Sequence, residues 1–155
     1  MGTNLYKILN MVTGNKELCR LLKYPMPNIY DQSLPTDDEC LELMGKNILL
    51  VPKIPEIDKV EGSFLVVLFE SFDTQEKNNE FILTGITFDV LCPHRDWLIS
   101  GESLRPFLMM AEISEMFHKQ RMNNVGILNF EKAERFSLSP DLSGYTMLFS
   151  IHDFN

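Results

Sequence analysis

Several features that would indicate a membrane, a cofactor or a catalytic centre are missing from this chain of 155 residues. No apolar run approaches the roughly 18–20 residues that a membrane-spanning helix needs, and the first ten residues do not resemble a secretory signal. The three histidines and three cysteines form neither an HExxH nor a CxxC motif. Neither glycine-rich phosphate loop, GxGxxG or GxxxxGK(S/T), occurs. These absences argue against a membrane protein and predict neither a cofactor nor a metal site.

Positive charge is also scarce. The 14 Lys and Arg residues stand against 22 Asp and Glu residues, which gives a formal net charge of -8. A protein that grips nucleic acid needs clustered Lys and Arg, because affinity for phosphate depends on them. In the second half of the chain the basic residues are dispersed among acids, at Lys119, Arg121, Lys132 and Arg135. The composition therefore argues against sequence-specific nucleic-acid binding, but it allows DNA to pass nearby without being held.

The hydrophobic pattern predicts a single α+β domain over residues 1–155. Residues 1–24 read as an N-terminal helical segment, and residues 25–62 as an extended, proline-containing loop. Residues 63–155 then form the core of sheet and helix. The expected sheet is mainly antiparallel and four-stranded, with helices packed on one face and the order α-β-β-α-β-β. Its strands are expected at about 63–72, 80–92, 126–137 and 145–154.

Local signals refine this outline. Asn15 is expected to cap a short helix, and the run from Thr36 to Glu39 is typical of a capping box that opens a helical turn. In the second strand we expect Ile82 to share a face with Ile86, Phe88 and Val90. A helix from about residue 104 to 120 should turn one apolar side toward the sheet. The members of that side are Phe107, Met110, Ile113, Met116 and Phe117.

Candidate catalytic groups are few. Cys92 as nucleophile with His94 as base is the nearest arrangement to a catalytic pair. These side chains lie on an irregular turn with no scaffold to set their geometry, so a strand that ends at Cys92 before a charged turn is the favoured interpretation. Cys19, Cys40 and Cys92 are expected to be reduced thiols in the core.

The remaining polar candidates also have structural interpretations. His118 lies near a helix end and His152 in the last strand, and we expect neither to bind a metal. Glu112 and Glu115 fit a solvated helix face better than a pair of catalytic carboxylates. The methionines at 109, 110 and 116 fit core packing better than a peptide-binding groove. Residue chemistry thus favours an interaction protein over an enzyme.

The order of several short segments carries a resemblance to a known group. The segments are LLKY at 21–24, ILLVPKIP at 48–55, TFDVLCP at 87–93 with Trp97, LRPF at 104–107, AEI at 111–113, GILNF at 126–130 and SGYTM at 143–147. In kind and order they resemble small neck proteins of tailed bacteriophages, of the tail-terminator or tail-completion type. The resemblance extends from about residue 16 to 155.

The resemblance implies a structural virion protein of the head–tail junction, assembled in the cytoplasm of a bacterial host. Such a protein forms a ring of copies of itself, commonly a hexamer, which caps the tail tube and joins it to the head connector. DNA passes through the lumen without specific binding, and no enzymatic activity, cofactor or membrane is implied. Two alternatives remain open: another neck or connector component, and a non-enzymatic adaptor that binds a protein through its helix face.

Two segments are the expected contacts with neighbouring subunits or the tail tube. They are the hairpin loop at 73–79 and the proline-containing segment at 46–62. The candidate interface residues are Asp73, Gln75, Glu76, Lys77, Asn78, Lys53, Ile54 and Ile57.

Overall fold

The structure, a computed structural model, describes residues 2–50, 59–74, 81–101, 103–122 and 126–152. Its α-helices are α1 (Gly2–Gly14), α2 (Lys16–Lys23), α3 (Asp37–Glu42) and α4 (Arg105–Phe117). Short 3-10 turns occupy Ile29–Asp31 and His94–Asp96. The strands are β1 (Ile48–Leu49), β2 (Phe64–Thr74), β3 (Phe81–Pro93), β4 (Leu98–Ile99), β5 (Ser103–Leu104), β6 (Arg121–Met122), β7 (Gly126–Ser139) and β8 (Leu142–His152).

The main sheet is mixed and has six strands, in the order β1-β2-β3-β8-β7-β6, while β4 and β5 form a separate two-stranded sheet. β1 runs parallel to β2, and every other neighbour in the main sheet is antiparallel. The predicted four-stranded, mainly antiparallel sheet with the order α-β-β-α-β-β is therefore wrong. The four long strands lie close to their expected places. The missed strands have only two residues each, too few to show an alternating pattern.

The segment at 25–62 was predicted as a long loop, but its described part contains the 3-10 turn at Ile29–Asp31, helix α3 and strand β1. The helical turn expected at Thr36 is confirmed. The Thr36 hydroxyl accepts a hydrogen bond from the Glu39 N–H, and the Glu39 carboxylate accepts one from the Thr36 N–H. The 3-10 turn and β1 were not predicted, because elements of three and two residues are too short to leave a periodic pattern.

The main core lies between one face of the sheet and helices α1, α2 and α4, with contributions from α3. At its centre the Phe88 ring stacks on Phe117 at 4.8 Å and meets Phe149 edge-on at 5.3 Å. A smaller cluster is formed by Leu49, Phe64, Val66, Leu91 and Leu142, which alternate with core residues and so occupy the opposite face of the sheet.

Arg105 fixes the orientation of α4 and joins the two halves of the chain. Its side chain is fully buried, and its guanidinium donates to the carbonyl oxygens of Asp96 at 2.7 Å, Leu21 at 2.7 Å and Met26 at 3.1 Å. Helical residues four apart share a face. Met109, Ile113 and Phe117 are therefore buried with Arg105.

The same helical phase corrects the expectation for Phe107, which was predicted to face the sheet. Two residues after Arg105, Phe107 points about 200° around the helix, and it is 48 % exposed. The pattern could not reveal this shift, because it required an arginine to occupy the most buried position of the helix.

Candidate functional site

The end of the β2–β3 hairpin extends beyond β8, the next strand of the sheet. β3 pairs with β8 from Gly85 to Pro93, whereas β2–β3 pairing continues to Thr74 and Phe81. Among the described residues, the pairs Phe72–Leu83, Asp73–Ile82 and Thr74–Phe81 have no strand beside them. We call residues 70–74 and 81–84 the ribbon.

The ribbon carries acidic and apolar side chains side by side. Glu70 and Asp73 are exposed, and Phe72 and Ile82 are each 38 % exposed. A hydrogen bond of 2.8 Å between the hydroxyls of Ser71 and Thr84 ties its two strands together. Phe72 faces Leu83 and Ile82 faces Asp73 across the strand pair, so the ribbon exposes one apolar side chain on each of its two faces.

The structure locates one of the predicted interface residues. Asp73 lies on the ribbon, opposite Ile82. The other predicted interface residues lie outside the described residues, so their placement stays a prediction. They are Lys53, Ile54, Ile57, Gln75, Glu76, Lys77 and Asn78.

Sequence reasoning missed the two apolar side chains of the ribbon. Ile82 was expected to share a face with Ile86, but that expectation is wrong, because Ile82 is exposed and Leu83 is buried with Ile86 instead. The β2–β3 register shifts between Phe69 and Ser71 and again between Ser71 and Phe72. Such bulges change which residues face the core, and a two-residue alternation carries no sign of them.

Two strand edges remain open among the described residues. β1 covers β2 only at Leu65 and Val66, and β6 covers β7 only at Gly126 and Ile127. Backbone bonds and a bond from the Phe130 N–H to the His118 imidazole extend the cover on β7 as far as Phe130. The residues that follow, 131–135, are all exposed, and four of the five carry a charge.

The structure does not bring Cys92 and His94 together as nucleophile and base. The Cys92 thiol is fully buried, lies 3.6 Å from the Met109 sulfur, and burial raises its pKa to about 12. The exposed His94 ring lies with Nε2 2.6 Å from the Ser143 hydroxyl. A nucleophilic cysteine must be ionised to the thiolate and must be accessible to a substrate. Cys92 meets neither requirement, because its pKa is raised and its side chain is buried.

The other thiols are buried as predicted. Cys19 and Cys40 are free and buried, and burial raises the pKa of Cys19. Within the described ranges, no group of three or more His, Cys, Asp and Glu side chains could hold a metal ion.

The remaining polar candidates have structural contacts. His118 accepts the Phe130 N–H at 3.0 Å, and His152 lies 4.0 Å from the Glu131 carboxylate. Glu115 is exposed as expected.

The prediction that Glu112 lies on a solvated helix face is wrong. Glu112 instead links α4 to the start of α2. Its carboxylate accepts a hydrogen bond of 3.0 Å from the Asn15 amide, and Asn15 in turn caps α2 by accepting the Leu18 N–H. The predicted Asn15 cap is confirmed.

The helices that the structure describes include none long and apolar enough to cross a membrane.

The face of the sheet opposite helices α1, α2 and α4, which carries the smaller cluster and which we call the helix-free face, also holds buried polar groups. Thr87 and Asp89 lie on β3 beside Thr146 of β8. Burial raises the pKa of Asp89, the bond with the Thr146 hydroxyl lowers it, and the charge of Glu70 raises it again. Within the described residues, Thr87 Oγ1 and Asp89 Oδ1 are buried without a hydrogen-bond partner.

Comparison with known proteins gives one family. The YomW family model matches residues 15–151. Curated proteins and solved structures gave no significant match. YomW is a phage-gene-like family linked with the Bacillus phage SPBeta region, which supports the phage part of the resemblance. Because the match covers most of the length of this chain, the chain belongs to the YomW family.

Proposed function

We propose that the protein is a structural component of a phage particle at the head–tail junction, a tail terminator or tail-completion protein. Copies of it form a ring, a hexamer, that caps the tail tube and joins it to the head connector. DNA passes through the lumen of this ring. The observation that carries the proposal is the ribbon, a projecting strand pair that exposes apolar side chains.

The ribbon has the properties of a contact arm. Phe72 and Ile82 each keep more than a third of their surface in water. Burying that surface against a partner would stabilise the contact by about 25 cal/mol per Å² of apolar area. The adjacent acids Glu70 and Asp73 give the arm a sign of charge that a partner can match. A ring protein needs such a patch, because each subunit must present to the next a surface that its own fold leaves uncovered.

Net charge supports a lumen through which DNA moves. The chain carries a formal charge of -8, and a ring multiplies this charge by its number of subunits. Like charges disfavour adhesion of the phosphate backbone. An acidic ring would therefore let DNA slide past without holding it.

The test is assembly of the full chain, alone and with purified tail tubes. We expect negative-stain images and native mass spectrometry to show rings of one subunit number, located at one end of the tubes. Phe72→Asp and Ile82→Asp should reduce ring formation or tube capping, since each places a charge in the contact.

Leu41→Asp is the matched control, because Leu41 is an exposed apolar residue on α3, away from the ribbon. This control should assemble like the unmodified chain. A protein that stays monomeric, does not bind tail tubes and is absent from purified particles would refute the proposal. Rings located elsewhere in the neck would identify another connector component.

A second candidate function is a non-enzymatic adaptor, favoured by the exposed start of α4. Phe107 is 48 % exposed and its ring lies 5.7 Å from that of Tyr145. Aromatic pairs of this kind are common anchors in protein interfaces. An adaptor would remain monomeric, bind a soluble partner through this face, and lose that binding in Phe107→Ser while the ribbon variants retain it.

A further inference from the structure

The geometry points to edge-to-edge joining of neighbouring copies, in which the open stretch of β2 in one copy pairs antiparallel with the open stretch of β7 in the next. This inference rests on the ring proposed above and specifies its interface. It commits to one occupant of both edges, a second copy of this chain.

The first edge is formed by β2, whose backbone N–H and C=O groups point outward from the sheet beyond the end of β1. The Leu65 N–H donates to the Asn47 carbonyl at 2.7 Å, on the side of β2 where β1 lies. Alternate residues of a strand direct their N–H and C=O groups to the same side. The N–H and C=O of Phe69, beyond the last β1 pair at Val66, therefore point to this edge where the described chain supplies no strand.

The second edge, formed by β7, lies at the opposite edge of the same sheet, and β7 runs antiparallel to β2. The order β2-β3-β8-β7 is antiparallel at every step, so β2 and β7 are antiparallel to each other. A copy added head to tail, with its strands kept in the same sense, brings its β7 against β2 as an antiparallel pair. Such a contact joins two different patches, and it closes into a ring when the rotation per copy allows.

One register matches the charges of the two edges. Placing Asp73 opposite Lys132 of the next copy brings Glu70 beside Arg135, so that each acid of β2 meets a base of β7. Arg135 is exposed and has no ion pair within the described ranges. Lys132 contacts Glu134 at 3.0 Å, but both side chains are exposed, and such surface pairs contribute little.

The same register also matches apolar residues. Phe72 comes opposite Ala133, and both are exposed. Glu70 is the extra residue of the bulge in β2, so the pairing shifts by one beyond it and places Leu68 opposite Phe136. Leu68 and Phe136 both pack against the small cluster on the helix-free face. The junction would extend that cluster from one copy to the next, with side chains on matching faces of the sheet.

Cross-linking tests the register directly. The double variant Phe72→Cys, Ala133→Cys places thiols on facing residues of the proposed junction, and the three native thiols are buried. Within one chain these positions lie on strands three spacings apart, more than about 14 Å, which is too far for a disulfide. Oxidation of assembled rings, with a small-molecule disulfide as the oxidant that accepts the two thiol hydrogens, should give a ladder of covalent oligomers up to the ring number.

Charge reversal provides an independent measurement on the full chain. Arg135→Glu and Glu70→Arg should each weaken self-association about tenfold, and the double reversal should recover most of that loss. Lys46→Glu is the control, because Lys46 is an exposed base between α3 and β1, and it should assemble normally.

The outcomes separate the two proposals. Rings that form normally in both single reversals and give no covalent ladder would overturn the edge pairing and leave the ring intact. A chain that forms no ring, even on tail tubes, would overturn the proposed function itself. Weakening by each single reversal with recovery in the double variant, together with the ladder, would support the pairing.

Discussion

Replacement of Arg105 should have a large effect on stability, although this residue is a charged side chain on a helix. In Arg105→Ala the carbonyls of Asp96, Leu21 and Met26 lose their donor in a site that water does not reach. Hydrogen bonds from a charged donor contribute about 1.5–3 kcal/mol each, and breaking a buried charged contact costs about 3–5 kcal/mol. We expect a loss of about 4 kcal/mol in the free energy of unfolding.

Arg105→Lys should lose about 2–3 kcal/mol, because one ammonium group cannot reach three carbonyls in different directions. The matched control is Arg95→Ala. Arg95 is exposed, but the Asp96 carboxylate 3.8 Å away is buried, so its loss should cost about 1 kcal/mol, well below the cost of losing Arg105.

Urea unfolding followed by fluorescence suits this comparison, because Trp97 is the single tryptophan. Its carbonyl accepts the Arg105 N–H at 2.7 Å, and its indole donates to the Cys92 carbonyl at 3.0 Å. Equal unfolding free energies for Arg105→Ala and Arg95→Ala would refute the role given to the buried guanidinium.

Three further changes can be measured by the same denaturation. Asp89→Asn should stabilise the fold at pH 7, because burial raises the pKa of Asp89 and so makes its charged form unfavourable in the folded state. This gain in unfolding free energy should shrink as the pH falls toward 3.8, the ordinary pKa of the group, because the native Asp89 is then protonated. A gain that does not change with pH would contradict this reasoning. Gly144→Ala should cost about 3 kcal/mol, since a Cβ would collide with the Val90 carbonyl, whereas Gly14→Ala, in open space at the end of α1, should be neutral or gain about 0.5 kcal/mol. Asn47→Ala should cost about 2 kcal/mol, because the buried amide donates to two backbone carbonyls at 2.9 Å; an unchanged midpoint would contradict that role.

The parts of the fold that sequence reasoning predicted are those with local causes. The long strands follow from runs of β-branched and aromatic residues, and the caps at Asn15 and Thr36 follow from side chains that bond the next turn of their own helices. None of these features requires information from distant parts of the chain.

The errors have long-range causes. Burial of Arg105 depends on carbonyls of residues 79 to 84 positions away, and it sets the helix phase that exposes Phe107. The order of the main sheet places the last strand, β8, between β3 and β7, which no local pattern encodes. At the candidate site, the polar turn after β2 indicated the hairpin end, but the bulges that expose Ile82 depend on how two strands pair.

The bond between Arg105 and Leu21 also affects how the chain acquires its structure during synthesis. A ribosome releases α1 and α2 long before Arg105 appears, so the first helices have no anchor while most of the chain is being made. β3 must likewise wait for β8, its neighbour in the sheet and the final described strand. Contacts so distant in sequence slow folding, and the nascent chain leaves its apolar helix faces open to chaperones until β8 has been made.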